Sequence, residues 1–254
     1  MPAADLVVKW GGSAVTNKAG VEELRADVLA AAAARLAAAV ARGERVVLVH
    51  GAGSFGHGQA RRHGLHLGKM SAAGVSETRA SVLRLHALVC TALADAGVAV
   101  ASLSPFPAWS RDVHQPRLAA CLAAGLVPVL HGDVVLSADG SSCSILSGDR
   151  LVEDVAAWFD VPRVAFLSDV AGCFSRPPPP NVGPAYVEGL VRRVSPATLL
   201  ETSQAGYDVT GGIRAKIDAA LRVAKRTGHA VAIAHIAGSW WDAAEGDWTV
   251  VEPA

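Results

Sequence analysis

Short runs of β-branched and other apolar residues alternate along this chain with longer segments rich in alanine and leucine. A strand followed by a crossover helix brings the next strand in parallel, so this alternation is typical of α/β proteins. The sequence therefore predicts an α/β fold with a mainly parallel sheet. The six predicted strands cover residues 6–10, 45–50, 98–103, 127–131, 164–168 and 230–236.

The segments between these runs have the composition of helices. Residues 22–42 are rich in Ala and Leu and are followed by Gly43, a common helix stop. Apolar residues also recur on one helical face in the second segment, at Val82, Leu85 and Val89. The pair Ser195-Pro196 indicates the start of a shorter helix. The predicted helices therefore cover 22–42 and 76–96, start near Ser147 and at Thr210, and cover about 195–202.

The charge balance excludes several classes of partner. The 254 residues carry 23 basic and 23 acidic side chains, for a net charge of zero. Nucleic acids and anionic membranes reward a surplus of Lys and Arg, so neither is an expected partner. No uncharged apolar run is long enough to span a bilayer, and the first ten residues lack the layout of a signal peptide, so we expect a cytoplasmic protein.

The four cysteines show neither the spacing of a zinc site nor that of a disulfide framework. They lie far apart without any CxxC pair, at Cys90, Cys121, Cys143 and Cys173. We expect small buried thiols in a reducing compartment and no protein-bound metal.

The first motif that could carry chemistry is Lys9-Trp10-Gly11-Gly12-Ser13, at the end of the first predicted strand, with Lys18 shortly after it. Paired glycines let backbone N–H groups approach an anion, and a lysine at the strand end adds a charge. The motif thus indicates phosphate binding at the carboxyl edge of the sheet. Its spacing differs from the P-loop pattern GxxxxGK[ST], and a tight turn beside two solvated lysines is the alternative.

The second motif, Gly51-Ala52-Gly53-Ser54-Phe55-Gly56-His57, directly follows a predicted strand. It matches GxGxxG, but a dinucleotide site also needs an acidic residue about 20 positions on, at the end of the next strand. Here the next strand starts much later and ends at Leu103 between two serines. The pattern disfavours a nicotinamide cofactor, and it places His57 where an imidazole can donate to a phosphate.

Three further motifs follow predicted strands or open predicted helices. Gly132-Asp133-Val134 and Ser147-Gly148-Asp149 offer carboxylates that could orient lysines or hold Mg²⁺, although Ser and Asp are also ordinary helix caps. Ser168-Asp169-Val170-Ala171-Gly172 is a turn that could border a nucleotide. The segment from Asp208 to Lys216 places Gly211 and Gly212 at a helix start, with a lysine one turn later, which favours phosphate binding.

Taken in order, the strings KxGGS, GxGSFGH, GDV, SGD, SDVxG and DVTGGxxxK resemble those of the amino acid kinase superfamily over residues 6 to about 235. The resemblance implies a three-layer αβα sandwich with a mainly parallel open sheet, usually as a homodimer. It implies one domain, 1–254, with an acceptor-binding part over about 1–160 and an ATP-binding part over about 161–254. The string GSFGH is similar to that of the isopentenyl phosphate kinases, and fosfomycin kinases have a similar loop.

The resemblance also implies roles for individual residues, and three of these would be catalytic, namely Lys9, Lys18 and His57. Magnesium would bridge the nucleotide phosphates. This sequence differs from the family pattern at three positions: Ala52, where the family usually has glycine, Ser168 and Ala171. ATP would be bound by Lys9, Gly11, Gly12, Ser13, Gly53, Asp169, Gly172, Gly211, Gly212 and Lys216. The acceptor would be bound by Ala52, Gly56, His57, Gly148 and Asp149.

The main hypothesis is therefore ATP-dependent phosphorylation of isopentenyl phosphate to the diphosphate, a step of isoprenoid biosynthesis in the mevalonate pathway. A kinase for fosfomycin or another small phosphate or phosphonate is the alternative, and a nucleotide-binding module without turnover is a third reading. Leu83 and Leu88, with neighbours on the 76–96 segment, could form an apolar wall for an isoprenoid tail or could simply be core. Arg79 and Arg84 could pair with a carboxylate of the ligand, so a kinase for an amino acid carboxylate stays an open alternative.

Overall fold

The computed structural model describes residues 4–17, 19–176, 178–179, 182–196, 211–238, 240 and 246–253. The strands in these ranges are β1 (Leu6–Trp10), β2 (Val46–His50), β3 (Val100–Ser102), β4 (Val127–His131), β5 (Asp133–Leu136), β6 (Cys143–Leu146), β7 (Arg163–Ser168), β8 (Cys173–Phe174), β9 (Leu190–Val191), β10 (Arg193–Val194), β11 (Val231–His235) and β12 (Thr249–Val251). The α-helices are α1 (Gly12–Val15), α2 (Ala26–Ala41), α3 (His57–Arg62), α4 (Ala72–Asp95), α5 (Arg111–Ala123), α6 (Gly148–Phe159) and α7 (Gly211–Thr227).

Eight of these strands form one sheet in the order β10-β12-β11-β7-β1-β2-β4-β3. Neighbouring strands are parallel except for the pair β11 and β12. The six predicted strands all lie in this sheet, which confirms the mainly parallel arrangement. Because the order runs outward in both directions from β1, the carboxyl ends of β1, β2 and β7 are neighbours.

Side-chain alternation along β1 builds a separate core on each face of the sheet. Leu6, Val8 and Trp10 pack in one cluster with residues of α2 and α4. Val7 packs in the other cluster with residues of α5, α6 and α7. Helices thus cover both faces, and the three-layer αβα architecture is confirmed.

Two predicted helices begin at other residues than expected. The segment predicted to start at residue 22 becomes helical only at Ala26, because Leu24 pairs with Thr16 in a β-bridge. The helix predicted from residue 76 begins earlier, at Ala72, because the Ser71 hydroxyl accepts a hydrogen bond from the N–H of Gly74. Ser147 caps α6 as predicted.

Sequence reasoning missed several elements. Helix α5 contains Pro116 and has a weak apolar pattern, and the β5–β6 hairpin is short. The predicted helix over about 195–202 lies mostly outside the described residues. The sequence also contains four consecutive prolines at 177–180, a pattern that predicts a surface loop, and Pro177 and Pro180 lie outside the described residues as well. All four cysteines are free; Cys143 and Cys173 are buried as expected, whereas Cys90 and Cys121 are only partly buried. In the ranges that the structure describes, no helix has both the length and the apolar character needed to cross a membrane.

Candidate active site

A cleft of about 860 Å³ opens at the carboxyl edge of the sheet. It lies where β1, β2 and β7 end and where α6 and α7 begin, the position at which open parallel sheets bind ligands. Ten residues that the sequence singled out line it: Lys9, Gly11, Gly12, Ser13, Gly53, His57, Asp149, Asp169, Gly172 and Lys216.

Lys9 reaches the cleft because of its position on β1. It shares a strand face with Val7, which packs against the α6 side of the sheet, so its side chain extends toward the start of α6. There Lys9 Nζ lies 2.6 Å from Asp149 Oδ1. The ammonium is therefore already oriented by a carboxylate at the edge of the cleft.

The two glycine turns meet backbone to backbone. A β-carbon on Gly12 would lie 2.3 Å from Gly53 N, closer than side chains and backbone ever approach. Gly53 has a φ of +54°, and a β-carbon there would lie 2.1 Å from Thr16 Oγ1. Glycine is thus required at both positions, because the loops after β1 and β2 share one wall of the cleft.

Thr16 connects these turns, a role that no motif in the sequence indicated. Its buried hydroxyl donates to the Gly12 carbonyl at 2.7 Å and accepts from the N–H of Ser54 at 3.1 Å. Only the fold brings residues 16 and 54 into contact. The same contacts set the distance between the two loops that carry the predicted phosphate-binding glycines.

The opposite wall of the cleft contains a chain of polar groups. Lys216 donates a hydrogen bond to the Ser168 hydroxyl, and Ser168 donates to Asp169 Oδ1 at 3.1 Å. Ser13 donates to the same carboxylate oxygen at 3.2 Å. Asp169 therefore connects the glycine turn after β1 with the lysine on α7.

The electrostatics of this wall act mainly on Lys216. Burial, and then the positive charge of Lys9, lower the pKa of Lys216 to about 8, against the opposing effects of Asp169 and Asp149. Two ammonium groups thus share one cleft, and the charge of Lys9 disfavours the charged form of Lys216. An anion between them, such as a phosphate chain, would relieve that repulsion.

His57 is the first residue of α3 and lies exposed on the cleft lining. Sequence reasoning missed three arginines that line the same space, Arg61, Arg62 and Arg176. Arg62 forms an ion pair with Glu77 on α4, so its guanidinium is already engaged. Together, the arginines of the lining make the rim near His57 positive, which suits an anionic ligand.

Three residues predicted on the acceptor side stand outside the lining. Ala52, Gly56 and Gly148 flank it, and a β-carbon on Gly56 would lie only 2.7 Å from Val82 Cγ2. Gly211 and Gly212 form the first positions of α7, and Lys18 lies outside the described residues.

Asp133, which the sequence offered as a second carboxylate for the site, is directed elsewhere. Its fully buried carboxylate pairs with Arg79 Nε at 3.2 Å, and burial raises its pKa against the opposing effect of that arginine. Arg84 likewise pairs with Glu22. Both arginines that the sequence offered for an acceptor carboxylate thus form ion pairs with acidic residues of the protein itself.

The apolar wall expected on the 76–96 segment is wrong for this cleft, since none of Val82, Leu83, Leu85 and Leu88 lines it. Val82 and Leu85 are buried, in line with the alternative reading as core residues. Leu83 and Leu88 are 38% and 41% exposed, on the solvent side of α4. These two leucines therefore do not line an interior pocket, because the helix turns them away from the sheet.

A parallel α/β sheet with lysines and glycine turns around a cleft at its carboxyl edge defines a phosphate-binding α/β protein. Comparison with known proteins specifies the family. The model of the amino acid kinase family matches residues 6–235, and the chain belongs to this family.

Several characterised relatives are similar over most of the chain. An isopentenyl phosphate kinase of Arabidopsis thaliana is 33% identical, over 86% of this chain and 83% of its own length. An isopentenyl phosphate kinase of Haloferax volcanii is 36% identical, over 84% of this chain and 85% of its own length. The crystal structure of the isopentenyl phosphate kinase product complex of T. acidophilum superimposes with a TM-score of 0.77 at 23% identity, over 97% of this chain and 99% of that chain, and shows the same fold.

Proposed function

We propose that this protein transfers the γ-phosphoryl group of ATP to isopentenyl phosphate, giving isopentenyl diphosphate and ADP. The observation that carries the proposal is the cleft itself, where His57 lies on the same lining as Lys9 and Lys216. The names of the relatives at 33% and 36% identity support the choice of acceptor. Phosphoryl transfer needs positioning and charge neutralisation more than covalent chemistry, and this cleft supplies both.

Lys9 and Lys216 would neutralise the phosphate chain of ATP. Backbone N–H groups of Gly12 and Gly53 would approach its oxygens, since no side chain stands in their way. The N–H of Gly11 donates to the Leu167 carbonyl at 2.8 Å, so Gly11 would contribute by leaving space for the phosphates. Asp149 holds the Lys9 ammonium by the 2.6 Å ion pair, which supports a role in orienting the lysine. Lys18 would stabilise the γ-phosphoryl group in transit, as the family resemblance implies.

His57 would bind the phosphate of the acceptor. An imidazole donates a directional hydrogen bond, and in its protonated form it also carries a charge that a phosphate favours. Its position at the start of α3 adds the partial positive charge of backbone N–H groups. The engagement of Arg79 and Arg84 by Asp133 and Glu22 argues for a phosphate acceptor over an amino acid carboxylate.

The division of labour along the chain would follow the sequence expectation. Within about 1–160 lie His57 and Asp149, which we assign to the acceptor side, with Ala52, Gly56 and Gly148 around them. Within about 161–254 lie Asp169, Gly172 and Lys216, which we assign to the nucleotide side together with Gly211 and Gly212. Lys9, Gly11, Gly12, Ser13 and Gly53 would lie between the two substrates.

Magnesium would reach the site on the nucleotide. Mg²⁺ is commonly held by substrate phosphates with one or two carboxylates. Over the described part of the chain, no group of three or more His, Cys, Asp or Glu side chains could hold a metal ion by itself. The residues present fit a metal bound mainly by ATP, with Asp149 and Asp169 as the carboxylates of the lining. A homodimer, a cytoplasmic location and a place in the mevalonate pathway stay predictions.

An acceptor panel tests the proposal. The purified protein is incubated with ATP, Mg²⁺ and, separately, isopentenyl phosphate, fosfomycin, other small phosphates and glutamate, and ADP is measured. We expect ADP and isopentenyl diphosphate with isopentenyl phosphate. Turnover only with fosfomycin or another phosphate would replace the acceptor but keep the chemistry. No ADP above background with any acceptor would favour a binding module without turnover.

A further inference from the structure

Glu22 connects three parts of the protein around the cleft through one carboxylate. We propose that Glu22 is a positioning residue for His57, acting through Gln59 and Ser81. This inference rests on the proposed function, because His57 has its assigned role only in a kinase for a phosphate acceptor.

The carboxylate of Glu22 is the centre of a mostly buried hydrogen-bond network. Oε1 accepts from the Ser81 hydroxyl at 2.6 Å and from the Gln59 amide at 3.2 Å. The Gln59 amide also donates to Ser81 Oγ at 3.0 Å. Arg84 donates to both carboxylate oxygens from the solvent side. Ser81 and Gln59 are 0% and 4% exposed, so water does not compete for these bonds.

Gln59 carries the network to the helix of His57. It stands two residues after His57 on α3, a helix of six residues. A helix this short has little stability of its own and takes its orientation from tertiary contacts. At its start, Gly56 packs closely on Val82 of α4. Gln59 is then the polar contact that holds the first turn of α3, and so the His57 backbone, against α4.

The backbone of Glu22 connects the network to the loop that precedes α3. Gly20 and Val21, which precede it, line the cleft, and the same segment includes Lys18 in the sequence. The N–H of Glu22 donates to the Ser54 carbonyl at 3.3 Å. Glu22 has a φ of 53°, in the left-handed region that a residue with a β-carbon rarely adopts. Its contacts hold it in this conformation, which is consistent with a requirement for its side chain here.

A role in stability alone is the competing explanation, and the chain offers a matched control. Asp5 forms an ion pair of the same kind with Arg45, with Oδ1 at 2.8 Å from Nη2 and Oδ2 at 3.0 Å from Nε. Asp5 precedes β1 and Arg45 precedes β2, so this pair lies at the opposite edge of the sheet from the cleft. Removing it tests the loss of an ion pair without any link to α3.

The experiment compares Glu22→Ala, Glu22→Gln, Gln59→Leu and Asp5→Ala. We expect Glu22→Ala and Gln59→Leu to lower kcat for isopentenyl phosphate at least tenfold, while the KM for ATP changes less than threefold. Glu22→Gln should recover at least half of the wild-type kcat, because its amide oxygen still accepts from Ser81 and Gln59. Asp5→Ala should keep the wild-type kcat. If Glu22→Ala fails to fold, Gln59→Leu carries the same expectation.

A second readout needs no acceptor, so it separates failure of this inference from failure of the proposed function. Amide hydrogen exchange over residues 57–62 should be at least tenfold faster in Glu22→Ala than in wild type, with exchange in α2 unchanged. Unchanged exchange over 57–62, or a kcat within threefold of wild type, would overturn the role of Glu22. So would an equal loss of kcat in Asp5→Ala. An inactive wild-type protein would overturn only the proposed function, and the exchange measurement would still decide about Glu22.

Discussion

Lys9 on β1 and Asp149 at the start of α6 meet at the carboxyl edge of the sheet, with Nζ 2.6 Å from Oδ1. Their side chains are 10% and 23% exposed, so the pair is largely shielded from water. The lysine is therefore held in place before any nucleotide binds. Such preorganisation is how a site stabilises charge that develops during a reaction.

Asp149→Asn should leave Lys9 without its counter-charge. We expect kcat to fall at least tenfold and the free energy of unfolding to fall by about 1–3 kcal/mol, because a largely buried ammonium loses its partner. Steady-state kinetics and urea denaturation measure both effects. Lys9→Met with and without Asp149→Asn completes a double-mutant cycle, and additive losses would contradict coupling between the two residues.

Gly12→Ala should disrupt the contact between the two glycine turns. The new β-carbon would lie 2.3 Å from Gly53 N, and neither backbone can move without displacing the other loop. We expect a loss of about 1–3 kcal/mol in stability and at least a tenfold weaker affinity for ATP. Gly58→Ala is the matched control, since a β-carbon there meets nothing within 4 Å. Equal behaviour of the two variants would refute the steric argument.

The pKa of Lys216, lowered to about 8 by burial and by Lys9, predicts a pH dependence of catalysis. Above pH 8 the free enzyme loses the Lys216 charge, so kcat/KM for ATP should fall about tenfold per pH unit. Lys216→Arg should abolish this decline, because a guanidinium stays charged. Measuring kcat/KM for ATP between pH 6 and pH 10 in wild type and in Lys216→Arg tests both expectations. A decline near pH 8 that persists in the arginine variant would assign it to another group.

The same lowered pKa predicts the sign of a stability effect. Between about 8 and the ordinary value of 10.5, the unfolded chain binds the lysine proton more tightly than the folded protein does. The contribution of Lys216 to stability should therefore rise as the pH increases through this range. Lys216→Met should be more stable than wild type at pH 7, and its advantage should shrink at pH 10. Urea denaturation at both pH values tests the sign, and a growing advantage would contradict it.

His57→Ala should separate acceptor binding from nucleotide binding. We expect kcat with isopentenyl phosphate to fall about 100-fold or more, the usual effect of removing a donor to the transition state. The dissociation constant for ATP, measured by calorimetry, should change less than threefold. The kcat of His57→Gln should lie between those of wild type and His57→Ala, because the glutamine amide still donates one hydrogen bond. A large loss of ATP affinity would move His57 to the nucleotide side.

Much of the site could be predicted from local sequence because its parts are turns at strand ends. The motifs around Lys9, His57, Asp149 and Asp169 each follow a predicted strand or open a predicted helix, and parallel strands bring such positions to one edge. Alternation along β1 even determines that Lys9 shares a face with Val7. The glycines could be recognised because close backbone approach needs residues without a β-carbon.

Contacts between distant segments could not be predicted in this way. Three histidines show this well: His50 and His131 end neighbouring strands, and His86 comes from α4, yet they pack as one buried cluster with His50 Nε2 2.9 Å from His86 Nδ1. Burial lowers the pKa of His86 to about 3 and that of His131 to about 4, so the cluster is neutral at physiological pH. The glycine loop before His57 distinguishes it from these three histidines, but nothing in their local sequence predicts that they pack together.

The sequence by itself determined the parallel α/β architecture and the edge of the sheet at which the site lies, because hydrophobic periodicity and glycine turns are local properties. Tertiary structure decided which carboxylate serves which cation: Asp149 pairs with Lys9, Asp133 with Arg79 and Glu22 with Arg84. It also turned Leu83 and Leu88 to solvent. Such choices depend on distances between segments far apart in the chain, and only the packed fold sets those distances.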